Sequence, residues 1–381
     1  MSETLQDTAR DDAARPDSTR DWLAWTTLVP LIALAVLVPT WGRYLPVALS
    51  VAVGVVLVGA VLAAVHHAEV VAHKVGEPFG SLVLAVAVTV IEVALIVTLI
   101  ASGGEETSTL ARDTVFAAVM ITVNGIVGLS LVVGAVKHHL ATFNAEGTGS
   151  ALATVIALAG VTLVLPRFTD EAGPAFTSSQ LVFAAVASLV LYGMFVFTQT
   201  VRHRDFFLPV ATGKRGPHDD DGDGHADPPT ARQAWLSLGL LLAALVAVVG
   251  LAKVCSPAIE DGVDAVGFPG AFVGVVIALT VLLPESIAAS RAAARDNVQT
   301  SLNLAYGSAM ASIGLTIPAI AVASIWLDGP LALGLEPMQI VLLALSVVVS
   351  VLTVVPGRAK PLNGGVHLVL LAAYLFLAAN P

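Results

Sequence analysis

Glu92 and Glu285 each stand near the middle of a long apolar run, in Val88-Thr89-Val90-Ile91-Glu92-Val93-Ala94-Leu95 and in Leu279-Thr280-Val281-Leu282-Leu283-Pro284-Glu285-Ser286. An ionised carboxylate in hydrocarbon is so costly that an acid at such depth is read first as an ion or proton site. No other Asp or Glu sits so far inside an apolar run of this chain. Two such acids, similarly placed in the two halves, point to one shared site. Two protons or one divalent cation neutralise the pair equally well, so protons and cation compete for it. Hydroxyl and amide oxygens on neighbouring runs can complete a ligand shell: Thr89 one turn before Glu92, Thr122 and Asn124 in the next run, and Ser308 and Ser312 in the run after Glu285. An all-oxygen set suits a hard cation such as Ca2+. It offers no thiol or His pair for a softer metal.

The elements that carry these side chains are membrane helices. The chain has 381 residues, of which 56% are hydrophobic and 12% charged, far more apolar than a soluble domain. Eleven apolar stretches lie at 22–39, 44–65, 79–101, 115–136, 150–165, 180–201, 234–254, 267–290, 302–326, 331–355 and 362–379. Most approach the roughly 20 residues that a spanning helix needs. They are continuously apolar rather than alternating, which excludes a transmembrane barrel. Residues 1–21 are polar and charged, with no removable leader pattern, and are read as a cytoplasmic tail. Cys255 is the only cysteine, which excludes an intramolecular disulfide and a thiolate metal cluster, and the net charge of −10 argues against nucleic-acid binding. No resident cofactor is expected; the partners are cations, protons and the lipid bilayer.

Fourteen Lys and Arg fall on the N-terminal tail and the even-numbered junctions, and only Arg43, Arg112, Arg167 and Lys253 on the other side. The positive-inside rule then places the N-terminus in the cytoplasm and, after eleven spans, the C-terminus outside. The polar stretch 202–233 divides the chain, leaving the first helix, 22–39, and two sets of five spans, 44–201 and 234–379. Because five is odd, two such sets related as repeats are inverted with respect to each other. Each acid lies in the second span of its set. The following spans carry matching strings, Val127-Gly128-Leu129-Ser130-Leu131 and Ile313-Gly314-Leu315-Thr316-Ile317. The expected fold is therefore an all-α polytopic membrane protein of 11 transmembrane helices, one extra N-terminal helix plus two inverted five-helix repeats.

Two further groups invite a functional reading. His66, His67, His73 and Glu77 are placed at the cytoplasmic junction before the Glu92 helix, where His73 and Glu77 could relay protons; solvated loop residues are the plain alternative. In the linker, Asp219, Asp221 and Asp223 with Gly224 match the opening of an EF-hand loop, but its twelfth position is Thr230 rather than a closing Glu. The regulatory cation site that this suggests competes with a simple acidic linker.

Several motifs together resemble the cation/proton exchangers of the calcium/cation antiporter superfamily, specifically the bacterial Ca2+/H+ and Na+(K+)/H+ antiporters of the ChaA type. They are the segment from His67 to Gly80, Thr89-Val90-Ile91-Glu92, Leu283-Pro284-Glu285, the segment from Gly307 to Pro318, and Leu362-Asn363-Gly364-Gly365-Val366-His367. The resemblance covers essentially the whole chain. It implies a secondary transporter of the bacterial inner membrane, not an enzyme, in which Glu92 and Glu285 bind cation and protons in turn. One departure stands out. The broader exchanger pattern has Gly-Asn where this chain has Val88-Thr89 and Val281-Leu282, which removes two oxygen ligands and leaves Na+ or K+ as the alternative cargo to Ca2+. A channel and a membrane phosphatase are the competing classes; the deep segments contain no nucleophile or phosphate-binding Arg beside the acids.

Overall fold

Long apolar segments separated by short polar connections can satisfy their backbone only by winding into helices, and this governs the whole chain. The computed structural model describes residues 25–76, 79–103, 108–170, 173–210, 229–326 and 331–380. Among these, eleven helical segments follow one another: α1 (Trp25–Thr40), α2 (Val47–Val75), α3 (Phe79–Gly103), α4 (Leu110–His138), α5 (Ala145–Phe168), α6 (Ser178–Arg202), α7 (Ala231–Ala265), α8 (Phe272–Ala294), α9 (Val298–Ala323), α10 (Pro337–Val354) and α11 (Pro361–Ala379). Nine of them are long and apolar enough to cross a bilayer; α1 and the apolar stretch Ala85–Thr98 of α3 are shorter. The fold is thus polytopic and all-α, apart from one two-residue ribbon.

Local chemistry sets the ends. Thr177 and Thr230 cap α6 and α7 reciprocally with Gln180 and Gln233. Pro337 and Pro361 open α10 and α11 at the first helical position, where a missing N–H costs nothing. Gly76, at φ 76°, stops α2. Two helices run well beyond the apolar stretches read from sequence. α2 continues ten residues past position 65, because no Gly or Pro intervenes before Gly76, so His66, His67 and His73 belong to its last turns rather than to a loop. α7 has 35 residues and passes through Pro257. Interruptions occur within helices too. α4 widens to a π-type turn at Ile121–Ile126, and α9 breaks between Gly314 and Thr316, where Pro318 lacks the N–H that Gly314 would receive.

The connections pin two opposite faces. On one, Ala141–Thr142 (β1) pairs antiparallel with Arg358–Ala359 (β2), tying the end of α4 to the start of α11. On the other, Ala332 N–H donates to Ser108, Gly334 N–H to Pro174 and Leu335 N–H to Leu163. There too Tyr44 donates to Asp261, so α2 and α7 run antiparallel.

Two apolar cores pack within this frame. One joins α1, α2 and α7; the other joins α4, α5, α6, α9, α10 and α11. They meet along α3 and α8, the helices of the two acids. On α8, Val273, Ile277 and Val281 face the first core while Val275, Ala278, Leu282 and Ala289 face the second. Gly128 and Gly314 set the closest approaches. A Cβ on Gly128 would lie 2.9 Å from the His367 Cβ and 3.0 Å from the Gly364 carbonyl on α11, and one on Gly314 would lie 2.9 Å from the Tyr192 Cβ on α6. Each glycine therefore admits the last helix of the other half.

Gly128→Ala and Gly314→Ala should each destabilise the protein by about 1–3 kcal/mol through overpacking. Gly54→Ala, which meets nothing within 4 Å, should be neutral or slightly stabilising. Thermal unfolding of the detergent-solubilised protein checks the contrast, and equal midpoints for all three would refute it.

Candidate cation site

Glu92 projects from the middle of α3 and is 2% exposed; Glu285, just after Pro284 in α8, is 7% exposed. The two carboxylates lie within electrostatic reach of each other. Among the described residues neither has a Lys, Arg or His ion-pair partner. Ser312, on α9, donates to Glu92 Oε2 at 2.9 Å. One turn further along α9, Thr316 is fully buried beside Glu92, while Thr89 shares the face of α3 that carries Glu92.

Four buried oxygens here have no hydrogen-bond partner: Thr89 Oγ1, Glu92 Oε1, Glu285 Oε2 and Thr316 Oγ1. Buried polar atoms in a folded protein are almost always satisfied, so a group of orphans on α3, α8 and α9 calls for a reason. A hard cation or protons would provide one, since every orphan is an oxygen. No group of three or more His, Cys, Asp or Glu that could hold a metal occurs among the described residues.

A cavity of about 280 Å³ reaches Glu285, Pro284, Gly307 and Ser308 but does not include Glu92. Its wall takes in Gln199 near the end of α6 and Thr300 and Asn303 near the start of α9. It therefore opens on the face of the β1–β2 ribbon.

The structure brings Glu92, Glu285, Thr89 and Ser312 to this region and puts Ser308 on the cavity wall. The Asn124 side chain has hydrogen-bond partners on other helices. The Asn124 amide donates to Ser346 Oγ at 2.8 Å, and its oxygen pairs with His367 Nδ1 at 3.2 Å, with His367 Nε2 at 3.2 Å from Thr353 Oγ1. Asn124 thus anchors a polar knot between α4, α10 and α11 at the π-type turn. Thr122 returns its hydroxyl to Ala118 and Val119 of its own helix. His73 is exposed on the last turns of α2. Glu77, Asp219, Asp221 and Asp223 lie outside the described residues. Thr316 was missed by sequence reasoning, although its spacing of four from Ser312 in the quoted motif puts both on one helix face.

The opposite face carries a buried ion pair. Arg112 and Asp113, 5% and 3% exposed, pair at 2.9 Å at the start of α4. Arg112 reaches Glu336 at 3.1 Å and the Gly334 carbonyl at 3.3 Å, and Gln339 donates to Asp113 at 3.4 Å. Asp113 is a third buried acid, but at a helix start and with a partner.

This geometry is that of a polytopic helical membrane protein with two buried carboxylates on adjacent helices. The chain matches the sodium/calcium exchanger protein family over residues 19–201 and 236–380, and it belongs to that family. It is 44% identical to the y4hA protein of Sinorhizobium fredii over 366 residues, covering 94% of this chain and 96% of that one. It is 34% identical to the sodium-potassium/proton antiporter ChaA of Escherichia coli over 356 residues, covering 92% and 95%. The solved structure of native YfkE superposes with a TM-score of 0.70 at 15% identity, covering 94% of this chain and 99% of that one. The protein is accordingly a cation/proton exchanger of the calcium/cation antiporter superfamily, a secondary transporter and not an enzyme.

Replacing Arg112 by Met leaves Asp113 buried without its ion pair, which should cost about 3–5 kcal/mol. Adding Asp113→Leu should recover much of that loss. Unfolding midpoints of the single and double variants test this, and a single variant as stable as the parent would show that the pair does not hold this face together.

Proposed function

We propose that the chain exports a cation in exchange for protons through one site shared by Glu92 and Glu285, with Ca2+ the favoured cargo. The observation that carries the reading is the set of unpartnered buried oxygens around two carboxylates that have no cationic side chain to neutralise them. The empty dianion is held in place by its own desolvation cost. Two protons or one divalent cation remove that cost, so the site can turn to the other face only when loaded. Competition at the site then becomes obligatory exchange, because differential stabilisation of the two orientations is what a population shift requires.

The seam along α3 and α8 supplies the moving surface. The body of α1, α2 and α7 shifts against the remaining helices, and the acids lie where the two meet. Inverted five-helix repeats after one extra helix account for the way Gly128 admits α11 and Gly314 admits α6. With Lys74, Lys137, Arg202, Arg291 and Arg358 on the cavity face, that face is cytoplasmic, the N-terminus lies on the same side, and the C-terminus is outside. Ions load from the cytoplasm through Glu285, and an inward proton gradient drives the cation out across the plasma membrane.

Na+ or K+ in place of Ca2+ is the second reading. It is favoured by the 34% identity to a sodium-potassium/proton antiporter and by the absence of amide oxygens at Val88-Thr89 and Val281-Leu282. The site's charge of two favours a divalent ion, and YfkE is itself a Ca2+/H+ antiporter.

Reconstituted in liposomes with an interior pH dye and an imposed proton gradient, the protein should dissipate the gradient on addition of Ca2+. Glu92→Gln and Glu285→Gln should each abolish that response while remaining folded. A response only to Na+ or K+ moves the cargo to the second reading, and normal exchange by both variants sinks the site.

A further inference from the structure

The cavity that leads to Glu285 is bordered by a second acid, Glu69, on α2. The rest of its polar wall is uncharged (Gln199, Thr300, Asn303 and Ser308), and among the described lining residues there is no Lys, Arg or His. Val65, Val88, Phe195, Val196 and Leu304 supply apolar walls. Glu69 is exposed, whereas Glu285 is buried. The two therefore mark mouth and floor of one passage and lie within electrostatic reach of each other. His66 and His73, on the same helix, are the titratable neighbours of Glu69 at the rim.

A passage with charge of one sign and low-dielectric walls focuses its field and concentrates counter-ions. We propose that Glu69 is a specificity-determining residue of the exchanger: it collects the cation at the mouth of the cavity, passes it to Glu285, and weights that collection toward divalent ions. The inference rests on the exchange site described above. The helix that bears Glu69 belongs to the other apolar core from most of the cavity wall, since α2 packs with α7 while Gln199, Thr300 and Asn303 lie on α6 and α9. The acid at the mouth and the acid at the floor are thus borne by different parts of the moving seam. When these parts shift, the mouth carboxylate and Glu285 separate, and collection is confined to the state that is open on this face.

Charge makes a quantitative demand. Interaction energy with a fixed carboxylate scales with ionic charge, so removing Glu69 must change capture of a divalent ion by about the square of the factor for a monovalent one. In everted membrane vesicles, which present the cavity face, Glu69→Gln should raise the KM for Na+ or K+ roughly threefold and for Ca2+ roughly tenfold, with kcat nearly unchanged. Glu69→Asp should restore most of the affinity. Raising inert salt with choline chloride should erase much of the difference between wild type and Glu69→Gln, as screening requires. A merely structural role would lower kcat or the amount of folded protein and would not sort ions by charge. Unchanged KM for every transported cation, an increase equal for both charges, or a loss confined to kcat would each overturn the proposal. If Glu92→Gln and Glu285→Gln abolish exchange while Glu69→Gln behaves as wild type, only the role of Glu69 falls. If those two variants transport normally, the exchange site itself falls.

Discussion

Two carboxylates face each other's field inside an apolar seam with no cationic side chain to neutralise them, and the rest of the architecture follows from the cost of keeping them there. The cost of burying an ion in a protein interior is several kcal/mol even after relaxation. A bundle that carries two such groups without partners must be held together elsewhere. Two apolar cores, close helix approaches at Gly128 and Gly314, and the knot of Asn124, Ser346, His367 and Thr353 provide that hold. None of these supports runs through the acids. The charge that makes the site useful is separated from the contacts that make it stable.

That separation also distinguishes the two kinds of buried charge in the molecule. Arg112 and Asp113 neutralise each other at the face opposite the cavity, with Glu336 and Gln339 adding polar contacts at their edge. Glu92 and Glu285 have no such partner among the described residues. Arg112 fastens α4 to the connection before α10.

Much of this was legible in the residues. A polytopic all-α fold follows from apolar runs and polar breaks, because backbone groups in lipid permit little else. The depth of the two acids and of Ser312 is legible because a carboxylate or hydroxyl in hydrocarbon needs a reason to be there, and all three are buried in the fold. What could not be read is which oxygen faces which partner. Asn124 reads as a ligand by depth alone, and its side chain also bonds to Ser346 and His367, pairings across more than two hundred residues that no local pattern announces. The length of α2 was underread for a different cause: His66, Glu69 and His73 are polar, and polarity was taken to end a helix that only Gly76 ends. Glu69 was thereby left among junction residues, although the longer helix carries it to the cavity wall.

The wide turn at Ile121–Ile126 has a mechanical meaning. Such a turn holds a surplus residue, and one residue of α-helix corresponds to about 100° of rotation. Winding α4 into a regular helix would swing every side chain beyond Val127 around the axis and carry Gly128 away from His367 and Gly364. The pitch of α4 and the seating of α11 are therefore one variable. Asn124, in the middle of the surplus turn and bonded to His367, ties the one to the other.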